Sequence, residues 1–458
     1  MMPPKSHVHI DVSSLLHWTG PAVGMMRVEH EMAVRAGFTA DDVDLCYYDV
    51  ASKAYRSLQD RYARQLVGWS ARLEQPSQAR AGWRRLLPDR ARALMALERL
   101  RLTTRFQHVA ALADKLQRFL LSLRAHRFPL DDEQGRRIDI VPFDLALGEI
   151  LTLGPDDVIL SIASDWWQKD AKAIIDLKRR SGFRIAALCY DVIPLRFPQF
   201  YAAEDVARFR SYWEQMFGFA DLVIVNARCI GRDIQDYCSR AKIEVPRIAV
   251  VPLGCDPVVA GQTQLQPLRR DLEPERYVLY VSTIEPRKNH ALLMRVWKRF
   301  VTDGIVGANN FKLVFVGRRG WLTDQVQAEI DTGDFSGTLL HIEDADDREL
   351  ALLYENAAFC VYPSRYEGFG LPVVEAYARG KAVLVSNGGA LAELTRDGGL
   401  DPDDDEAWSR AISALMTEPG KIRDALANVE DGIRNRGWPD VVADMMASAR
   451  SVYTRSAG

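Results

Sequence analysis

The sequence has 458 residues, of which 48% are hydrophobic and 26% are charged, and its formal net charge is −3. This length predicts two or three domains, and a nearly neutral chain gives no global reason to expect nucleic-acid binding. Six scattered cysteines without a C-x-x-C pair argue against a disulfide framework or a cysteine zinc site and favour a cytoplasmic location. The N-terminus lacks a signal-peptide pattern and no apolar run is long enough to span a bilayer, so any membrane contact is expected to be peripheral.

Six short apolar runs in residues 1–255 predict strands separated by helices, which indicates an N-terminal Rossmann-like domain. These runs lie at residues 7–14, 42–48, 156–164, 184–194, 221–227 and 247–254.

After the first run, a loop with Gly20 and Gly24 precedes a predicted helix, and such a loop lets the backbone approach a phosphate closely. The loop matches neither G-x-G-x-x-G nor a Walker motif, so an ordinary strand-to-helix turn explains it equally well.

Three histidines near the N-terminus, His7, His9 and His17, raise the question of a metal site. Alternation places His7 and His9 on one face of the first strand. Because no third ligand lies at a suitable spacing, we predict an ordinary structural role for these histidines and no metal site.

Residues 52–127 interrupt the alternation and are predicted to be helical, within an insertion that extends to about residue 140. This block carries seventeen Lys/Arg against five Asp/Glu. An apolar stripe at helical spacing predicts one buried face, formed by Phe106, Val109, Ala113, Leu116, Leu120 and Leu123. Two interpretations stay open: a helical hairpin packed on the N-terminal domain or at a dimer seam, and a basic element that faces an anionic membrane.

Residues 256–276 show neither the helical nor the strand periodicity of apolar residues, so we predict a linker there. Strands and helices alternate again through residues 277–435. Predicted strands of this C-terminal domain lie at 277–283, 311–317, 338–344, 358–364 and 381–387. Residues 436–458 predict a final helix that crosses back to the N-terminal domain. The fold class is therefore α/β, with two Rossmann-like domains facing a cleft, and ligands are expected beyond the carboxyl ends of the strands.

The segment SRYEGFGLPVVEAYARG contains two glutamates eight positions apart, Glu367 and Glu375. Pro372 suits the first position of a helix and Gly380 its end, so Glu375 is predicted in the first turn and Glu367 in the preceding loop. The unpaired N–H groups of a helix N-terminus form a seat for an anion such as a phosphate. The residues predicted to offer this seat are Gly368, Phe369, Gly370 and Leu371.

Arg287 and Lys288 directly follow the strand at 277–283, where two cations can clamp a diphosphate. An isolated Arg-Lys pair is more often a solvated turn, but its combination with the segment around Glu367 favours a binding role. Asp191 lies near the end of the predicted strand at 184–194, at the cleft edge, where it either holds a sugar hydroxyl or forms a turn. No Ser/His/Asp or Cys/His arrangement supports acyl chemistry.

The stretches YVSTIEPRKNHALLMRVW, VGRRGW and DRELALLYENAAFCVYPSRYEGFGLPVVEAYARGKAVLVSNGGALAEL resemble the retaining GT-B glycosyltransferases of family 4, and in particular bacterial polysaccharide mannosyltransferases. The resemblance covers most of residues 277–396, with weaker similarity in the N-terminal half. Residues 52–140 have no counterpart in it.

The resemblance implies a sugar-nucleotide donor in the C-terminal domain and a saccharide or lipid-linked acceptor mainly on the N-terminal domain. Matching positions imply that Glu375 binds the donor ribose, that Glu367 binds the donor sugar, and that Arg287 and Lys288 bind the diphosphate. The loop of Gly24 would close over the phosphates. The two carboxylates would then hold two ends of one donor and would not act as a hydrolytic pair.

Two positions depart from the family pattern. Ser282 stands where many relatives carry an arginine, and Tyr190 stands where many carry a histidine before the aspartate. Arg287 is therefore expected to supply the missing charge, whereas the contact between Tyr190 and the donor sugar, and with it the donor's identity, is open. GDP-mannose is the first choice, with other GDP-, UDP- or dTDP-sugars as alternatives.

The implied reaction is transfer with retention of the anomeric configuration, without a metal or a bound cofactor, in cell-surface polysaccharide synthesis. A nucleotide-sugar epimerase of the same fold is the alternative enzyme. A nucleic-acid-binding module is the non-enzymatic alternative, although the basic block lacks the aromatic residues typical of RNA binding.

Overall fold

The computed structural model describes residues 7–17, 24–38, 42–58, 109, 112, 128–131, 137–140, 147–163, 165–167, 169–256, 268–269 and 271–453. Within these residues the strands form two large sheets and one short antiparallel pair. One sheet uses strands that precede residue 251, and the other uses strands that follow residue 276. The predicted domain boundaries at residues 255, 276 and 435 stay predictions.

The N-terminal sheet has eight strands in the order β10-β9-β8-β7-β1-β2-β3-β6. Six of them are parallel, whereas β3 pairs antiparallel with both β2 and β6 at one edge. The strands are β1 (His7–Asp11), β2 (Val43–Asp49), β3 (Ala54–Leu58), β6 (Leu147–Ile150), β7 (Asp157–Ser161), β8 (Arg184–Cys189), β9 (Leu222–Val225) and β10 (Ile248–Val250); the separate pair is β4 (Phe128–Asp131) with β5 (Arg137–Ile140).

Helices connect the parallel strands of this sheet. The first helix ends at residue 17, and the second continues into a π-helical turn, Ala33–Gly37. The α-helices are α1 (Ser13–His17), α2 (Met25–Met32), α3 (Ala171–Ser181), α4 (Ile193–Arg196), α5 (Ala203–Phe219) and α6 (Arg228–Ala241). Short 3-10 turns lie at Asp165–Trp167 and Pro198–Phe200.

The C-terminal sheet has five parallel strands in the order β13-β12-β11-β14-β15. These are β11 (Tyr277–Val281), β12 (Lys312–Val316), β13 (Leu339–Ile342), β14 (Phe359–Tyr362) and β15 (Val383–Val385). Its helices are α7 (His290–Thr302), α8 (Ile305–Asn309), α9 (Asp324–Thr332), α10 (Asp347–Asn356), α11 (Leu371–Ala378), α12 (Asp405–Thr417), α13 (Pro419–Ala427), α14 (Asp431–Arg434) and α15 (Trp438–Arg450), with 3-10 turns at Pro286–Lys288, Ala390–Glu393 and Ser451–Tyr453.

Local sequence explains why these elements form. The parallel strands are continuous apolar runs because helices cover both faces of a parallel sheet, and all four residues of β9 and of β14 are buried. Several helices begin at an aspartate whose side chain accepts a hydrogen bond from the first turn, as Asp346 does from the Glu349 N–H at 2.8 Å. Each apolar run predicted in the two halves overlaps one strand of its sheet, whereas β3 and β6 lie outside the predicted runs.

The helical prediction for residues 52–127 is wrong at Ala54–Leu58, which forms β3. Tyr55 is buried and lies opposite Tyr48 of β2, with ring centroids 5.3 Å apart, so cross-strand packing decides this segment. The short strand at Ala54–Leu58 was not recognised in the sequence because it lies in a block that is rich in Lys and Arg. Of the apolar stripe from Phe106 to Leu123, Val109 alone lies within the described residues, as a single helical position.

The last helix, α15, packs against α2 and against strands β7, β8 and β9 of the N-terminal sheet. Arg450 at its end forms an ion pair with Asp42 at 2.8 Å, and Arg247 donates to the Ser451 carbonyl.

The described residues of the predicted linker pack on the C-terminal domain, because Leu272 is buried and Arg269 pairs with Glu349 at 2.5 Å. In the part of the chain that the structure describes, no helix combines the length and the hydropathy needed to cross a bilayer.

Candidate active site

The segment between Glu367 and Glu375 forms a loop followed by α11 (Leu371–Ala378). Gly370 precedes the helix with φ = 103°, a left-handed conformation that favours glycine. Glu367 lies in the loop, as predicted from the sequence, but Glu375 is the fifth residue of the helix and lies beyond its first turn. The reason is that the helix begins at Leu371, one residue before Pro372.

The N-terminus of α11 carries free hydrogen-bond donors. Within the described residues, the backbone N–H groups of 368–371 donate to no protein atom, whereas the N–H groups of Val373 and Val374 both reach the Gly370 carbonyl. Four unpaired N–H groups and the helix dipole together favour an anion at this end. The predicted seat is therefore present in the structure, and its occupation by a phosphate stays a prediction.

Gly368 brings the two domains into contact. A Cβ atom at this position would lie 2.8 Å from the Tyr190 carbonyl oxygen and 2.9 Å from the Asp191 Cβ, so only glycine fits without movement. The predicted C-terminal loop and the predicted β8 loop therefore meet at the carboxyl ends of the strands, as expected for a cleft between two Rossmann-like domains.

A compact cluster of four charges lies beside this contact. Glu367 Oε2 accepts from Arg287 at 2.7 Å, and Glu367 Oε1 accepts from Lys288 at 2.5 Å. Arg287 also donates to Glu285 at 2.5 Å and to the Tyr366 carbonyl at 2.6 Å. Arg287, Lys288 and Glu367 thus form one unit, although the chain separates Lys288 from Glu367 by 79 positions.

Burial and charge have opposite effects on the pKa of Glu367. Burial alone raises its pKa, but the nearby charges of Arg287 and Lys288 outweigh burial and lower the pKa from 4.5 to about 2. Burial lowers the pKa of Arg287, and Glu367 and Glu285 outweigh that effect and raise it above its ordinary value. Glu367 and Arg287 are therefore both charged at neutral pH.

This pairing changes the expected electrostatics of the site. The two cations Arg287 and Lys288 face the two carboxylates of Glu285 and Glu367. The formal charges of the four side chains therefore sum to zero. The prediction that Arg287 and Lys288 offer free positive charge to a diphosphate omitted these partners. Glu285, which is 3% exposed, is the residue that sequence reasoning missed; its position two residues before Arg287 was the available signal.

Glu375 lies in a second polar region near the N-terminal domain. Burial raises its pKa, while the charges of Arg27 on α2 and of Arg379 act to lower it. Tyr354 Oη lies 3.5 Å from Glu375 Oε2. Arg27 and Tyr354 were not predicted as site residues, because neither stands in a recognisable motif.

Gly24 directly precedes α2, with φ = 55°, and a Cβ there would meet no atom within 4 Å. The helix that follows Gly24 carries Arg27 close enough to Glu375 to act on its pKa. Residues 18–23 of the loop, with Gly20, and the side chain of His17 lie outside the described residues. Closure of this loop over a phosphate stays a prediction.

Tyr190 and Asp191 lie at the end of β8, on the opposite wall of the cleft. Tyr190 Oη donates to the Ile162 carbonyl at 2.9 Å, so its hydroxyl already has a partner. Asp191 Oδ1 accepts from the Ile193 N–H at 2.9 Å, which fits the turn-forming role considered from the sequence. Burial raises the pKa of Asp191, and the charges of Arg287, Glu367 and Lys288 also act on it, which places it beside the cluster.

A buried ionic group supports the N-terminal wall. Lys169 pairs with both Asp11 at the end of β1 and Asp165, and all three side chains are at most 1% exposed. Asp11 also accepts from the Ser13 N–H at 3.0 Å, which fixes the start of α1. Burial raises the pKa of Asp165, whereas Asp11 and Asp165 outweigh burial and raise that of Lys169.

Further contacts join the domains beside the cleft. Both oxygens of Glu393 accept from the first N–H groups of α6, from Cys229 at 2.6 Å and from Arg228 at 3.0 Å. Tyr366 Oη donates to Asp233, and Trp321 Nε1 donates to the Phe200 carbonyl at 2.7 Å. The C-terminal domain therefore caps a helix of the N-terminal domain.

Residues 266–430 match the protein family described as Glycosyl transferases group 1. O-antigen chain mannosyltransferase B of Escherichia coli is 34% identical over 172 residues, which are 36% of this chain and 44% of the relative. O-antigen chain mannosyltransferase RfbU of Salmonella typhimurium is 31% identical over 154 residues, 33% of this chain and 41% of the relative. The chain thus spans less than half of the length of these relatives.

Two solved structures show the same fold. The UDP-forming trehalose-phosphate synthase from Burkholderia xenovorans aligns with a TM-score of 0.54 at 14% identity, covering 66% of this chain and 75% of that chain. The trehalose 6-phosphate synthase from Burkholderia multivorans aligns with a TM-score of 0.52 at 16% identity, covering 66% and 71%. The predictions of the two-domain GT-B fold and of a glycosyltransferase domain are confirmed.

Proposed function

Because residues 266–430 form a glycosyl transferases group 1 domain, we propose that the protein transfers a hexose from a sugar nucleotide to a saccharide or lipid-linked acceptor in cell-surface polysaccharide synthesis. The observation that carries this proposal is the Arg287–Lys288–Glu367 cluster beside the free N–H groups of α11. Mannose from GDP-mannose is the first choice of donor, since relatives of the chain are named mannosyltransferases.

In this proposal, Glu367 holds the two cations in place until the donor binds. The diphosphate enters between the N-terminus of α11 and the side chains of Arg287 and Lys288. It replaces the Glu367 carboxylate on Lys288, and the released carboxylate accepts hydrogen bonds from hydroxyl groups of the donor sugar. Glu375 holds the ribose hydroxyls at the other end of the donor.

The proposed chemistry retains the anomeric configuration. An acceptor hydroxyl attacks the anomeric carbon from the side of the leaving group, the bond between that carbon and the phosphate oxygen breaks, and the leaving diphosphate oxygen takes the acceptor proton. Arg287, Lys288 and the N–H groups of α11 stabilise the charge that develops on the diphosphate. Removing one such preorganised donor typically costs ~3 kcal/mol of transition-state stabilisation.

The acceptor is proposed to approach along the N-terminal wall. Trp167 is 51% exposed and stacks on Trp166 with ring centroids 4.7 Å apart, and the Arg208 guanidinium lies 4.7 Å from its ring centroid. Trp321, which is 45% exposed, projects from the opposite domain near Tyr201. Exposed, fixed aromatic faces beside a cleft suit contact with the apolar faces of sugar rings.

Product analysis tests the proposed function. The full chain is incubated with GDP-mannose and mannose-terminated oligosaccharides, and the products are separated by chromatography and mass spectrometry. A lengthened oligosaccharide with an equal amount of GDP supports the proposal. Formation of a rearranged nucleotide sugar without any glycosylated acceptor refutes it and favours the epimerase alternative.

We also propose that the enzyme works at the inner face of the cell membrane, through the basic block of residues 52–127. The support is compositional: seventeen Lys/Arg against five Asp/Glu, each cation worth roughly 1 kcal/mol near an anionic leaflet. Sedimentation with neutral and anionic vesicles tests this. Salt-sensitive binding to anionic vesicles that falls when Arg118, Arg124 and Arg127 are replaced by Gln supports membrane contact. Equal partitioning to neutral and anionic vesicles, or unchanged binding in that variant, refutes membrane contact and favours a block that packs on the protein.

A further inference from the structure

A histidine and aspartate cluster lies at the end of the N-terminal sheet that faces away from the cleft. His7 and His9 share one face of β1, and the cleft lies beyond the opposite, carboxyl end of the strand. In the register of the sheet, His7 is the partner of Asp157 on β7, and His9 is the partner of Asp44 on β2. Three adjacent strands therefore bring two imidazoles and two carboxylates together.

The cluster is compact. His7 Nε2 lies 2.7 Å from Asp44 Oδ2, and His9 Nε2 lies 3.0 Å from Asp157 Oδ1. The two imidazole centroids are 4.8 Å apart. One potential ligand atom from each of His7, His9 and Asp44 lies within 4.8 Å of the other two. The third ligand that the sequence did not reveal is thus Asp44, which is 35 positions from His9 but next to it across the sheet.

One buried nitrogen of this cluster has no hydrogen-bond partner among the described residues. His9 is 6% exposed, and its Nδ1 has no hydrogen bond to any of the described residues. Its Nε2 is paired with Asp157, and Asp157 Oδ2 accepts from the Gly154 N–H at 2.7 Å. A metal-bound histidine usually has this arrangement, in which the second ring nitrogen donates to a carboxylate that the protein itself fixes.

We propose that His7, His9 and Asp44 bind a divalent transition-metal ion, with zinc as the best fit. Imidazole and carboxylate ligands suit zinc, and three protein ligands leave a fourth tetrahedral position for water. Binding requires the most distant ligand atoms to approach one another by up to ~1.4 Å, since ligands about 2.0–2.2 Å from zinc lie roughly 3.4 Å apart. The side chains of His7 and Asp44 are 36% and 57% exposed, which leaves them room to move.

The ion acts as a structural clamp. It links β1 to β2 through Asp44, and the Asp157 contact extends the link to β7. These are the central strands of the N-terminal sheet, which present Asp11 and Ser161 at their other ends. Because the clamp lies at the end of the strands remote from the cleft, it contributes to stability and takes no part in glycosyl transfer.

Metal titration of the full chain without a histidine tag tests the proposal. The protein is stripped with a chelator and titrated with ZnCl2 and, separately, with CoCl2. We expect one equivalent of bound zinc by elemental analysis, a higher thermal transition, and visible absorption bands of four-coordinate Co²⁺. His7→Gln and Asp44→Asn, at two half-exposed positions, should each weaken zinc binding at least tenfold.

Asp156→Asn is the matched control, because Asp156 is an exposed neighbouring carboxylate outside the cluster; it should bind zinc as the wild type does. Absence of binding below millimolar zinc, or equal binding by the wild type and by a His7→Gln/Asp44→Asn double variant, overturns the proposal. Loss of sugar-nucleotide transfer is not a readout here, so the outcome is independent of the proposed enzymatic function.

Discussion

Glu367→Gln separates the two tasks assigned to this carboxylate, because glutamine keeps the size of the side chain but removes its charge. The pKa of Glu367 falls from 4.5 to about 2, which corresponds to a favourable interaction of the carboxylate on the order of 3 kcal/mol. Arg287 keeps its contact with Glu285 in the variant, so the loss of stability should lie below this value. For a domain of this size we expect the thermal transition of the free protein to fall by ~5 °C.

The same substitution should strengthen the binding of free GDP. Lys288 loses the carboxylate that competes with phosphate, so its ammonium becomes available to the ligand. We expect the dissociation constant of GDP, measured by calorimetry, to fall several-fold. Turnover with GDP-mannose should decrease about a hundredfold, because the sugar loses the carboxylate that positions it.

Glu406→Gln is the control, since Glu406 forms an exposed ion pair with Arg299 and its side chain is 60% exposed. Such pairs contribute little, and the control should match the wild type in all three measurements. If Glu367→Gln leaves the thermal transition and GDP affinity unchanged, the ion-pair cluster does not control the site. If GDP binding is instead lost, Glu367 contacts the nucleotide directly and the exchange of partners is wrong.

Four further outcomes are expected. Lys288→Ala should lower kcat/KM roughly a hundredfold, through lost stabilisation of the leaving diphosphate, in a GDP-release assay. Glu375→Gln should weaken GDP binding about tenfold in calorimetry, because the ribose loses a charged acceptor. Gly368→Ala should reduce turnover while the thermal transition changes little, because the added methyl group meets the Tyr190 carbonyl and separates the domains. The stability that charged Glu367 contributes is present in full above pH 4.5, its ordinary pKa, and should be lost as the pH falls from 4.5 to about 2. Glu367→Gln should lack this component in acid unfolding.

Matched variants make these results interpretable. Lys421→Ala removes an exposed lysine and should leave the rate unchanged. Gly307→Ala adds a methyl group where no atom lies within 4 Å, so equal effects of Gly307→Ala and Gly368→Ala would contradict the steric argument. Wild-type turnover in Lys288→Ala, wild-type GDP affinity in Glu375→Gln, or parallel acid unfolding of wild type and Glu367→Gln would each contradict the corresponding assignment.

The sequence was sufficient for features with a local pattern. Apolar runs located six of the eight strands of the N-terminal sheet and all five strands of the C-terminal sheet, and the order of strands and helices indicated the α/β class. The segment around Glu367 could be placed at a helix N-terminus because proline and glycine restrict the backbone there. Glu375 lies one position further into the helix than predicted, since the helix start depends on the conformation of Gly370 and not on Pro372 alone.

Pairings between distant residues could not be predicted. Lys288 meets Glu367, Arg27 acts on Glu375, and His9 lies beside Asp44 only because the sheets and domains place them together. No periodicity within one segment carries that information. Likewise, β3 was hidden in a basic block, because its stability comes from pairing with β2 and not from its own composition.

The edge of the N-terminal sheet determines how the long segment between β3 and β6 can vary. Leu58, the last residue of β3, is the register partner of Leu147, the first residue of β6, so the chain leaves and re-enters the sheet at neighbouring positions. A tight turn and a long insertion can both connect Leu58 to Leu147, because these two residues are neighbours in the sheet. Doubling the length of a connecting loop costs only ~0.6 kcal/mol in closure entropy. Evolution can therefore lengthen, shorten or exchange this segment without moving any strand that supports the cleft.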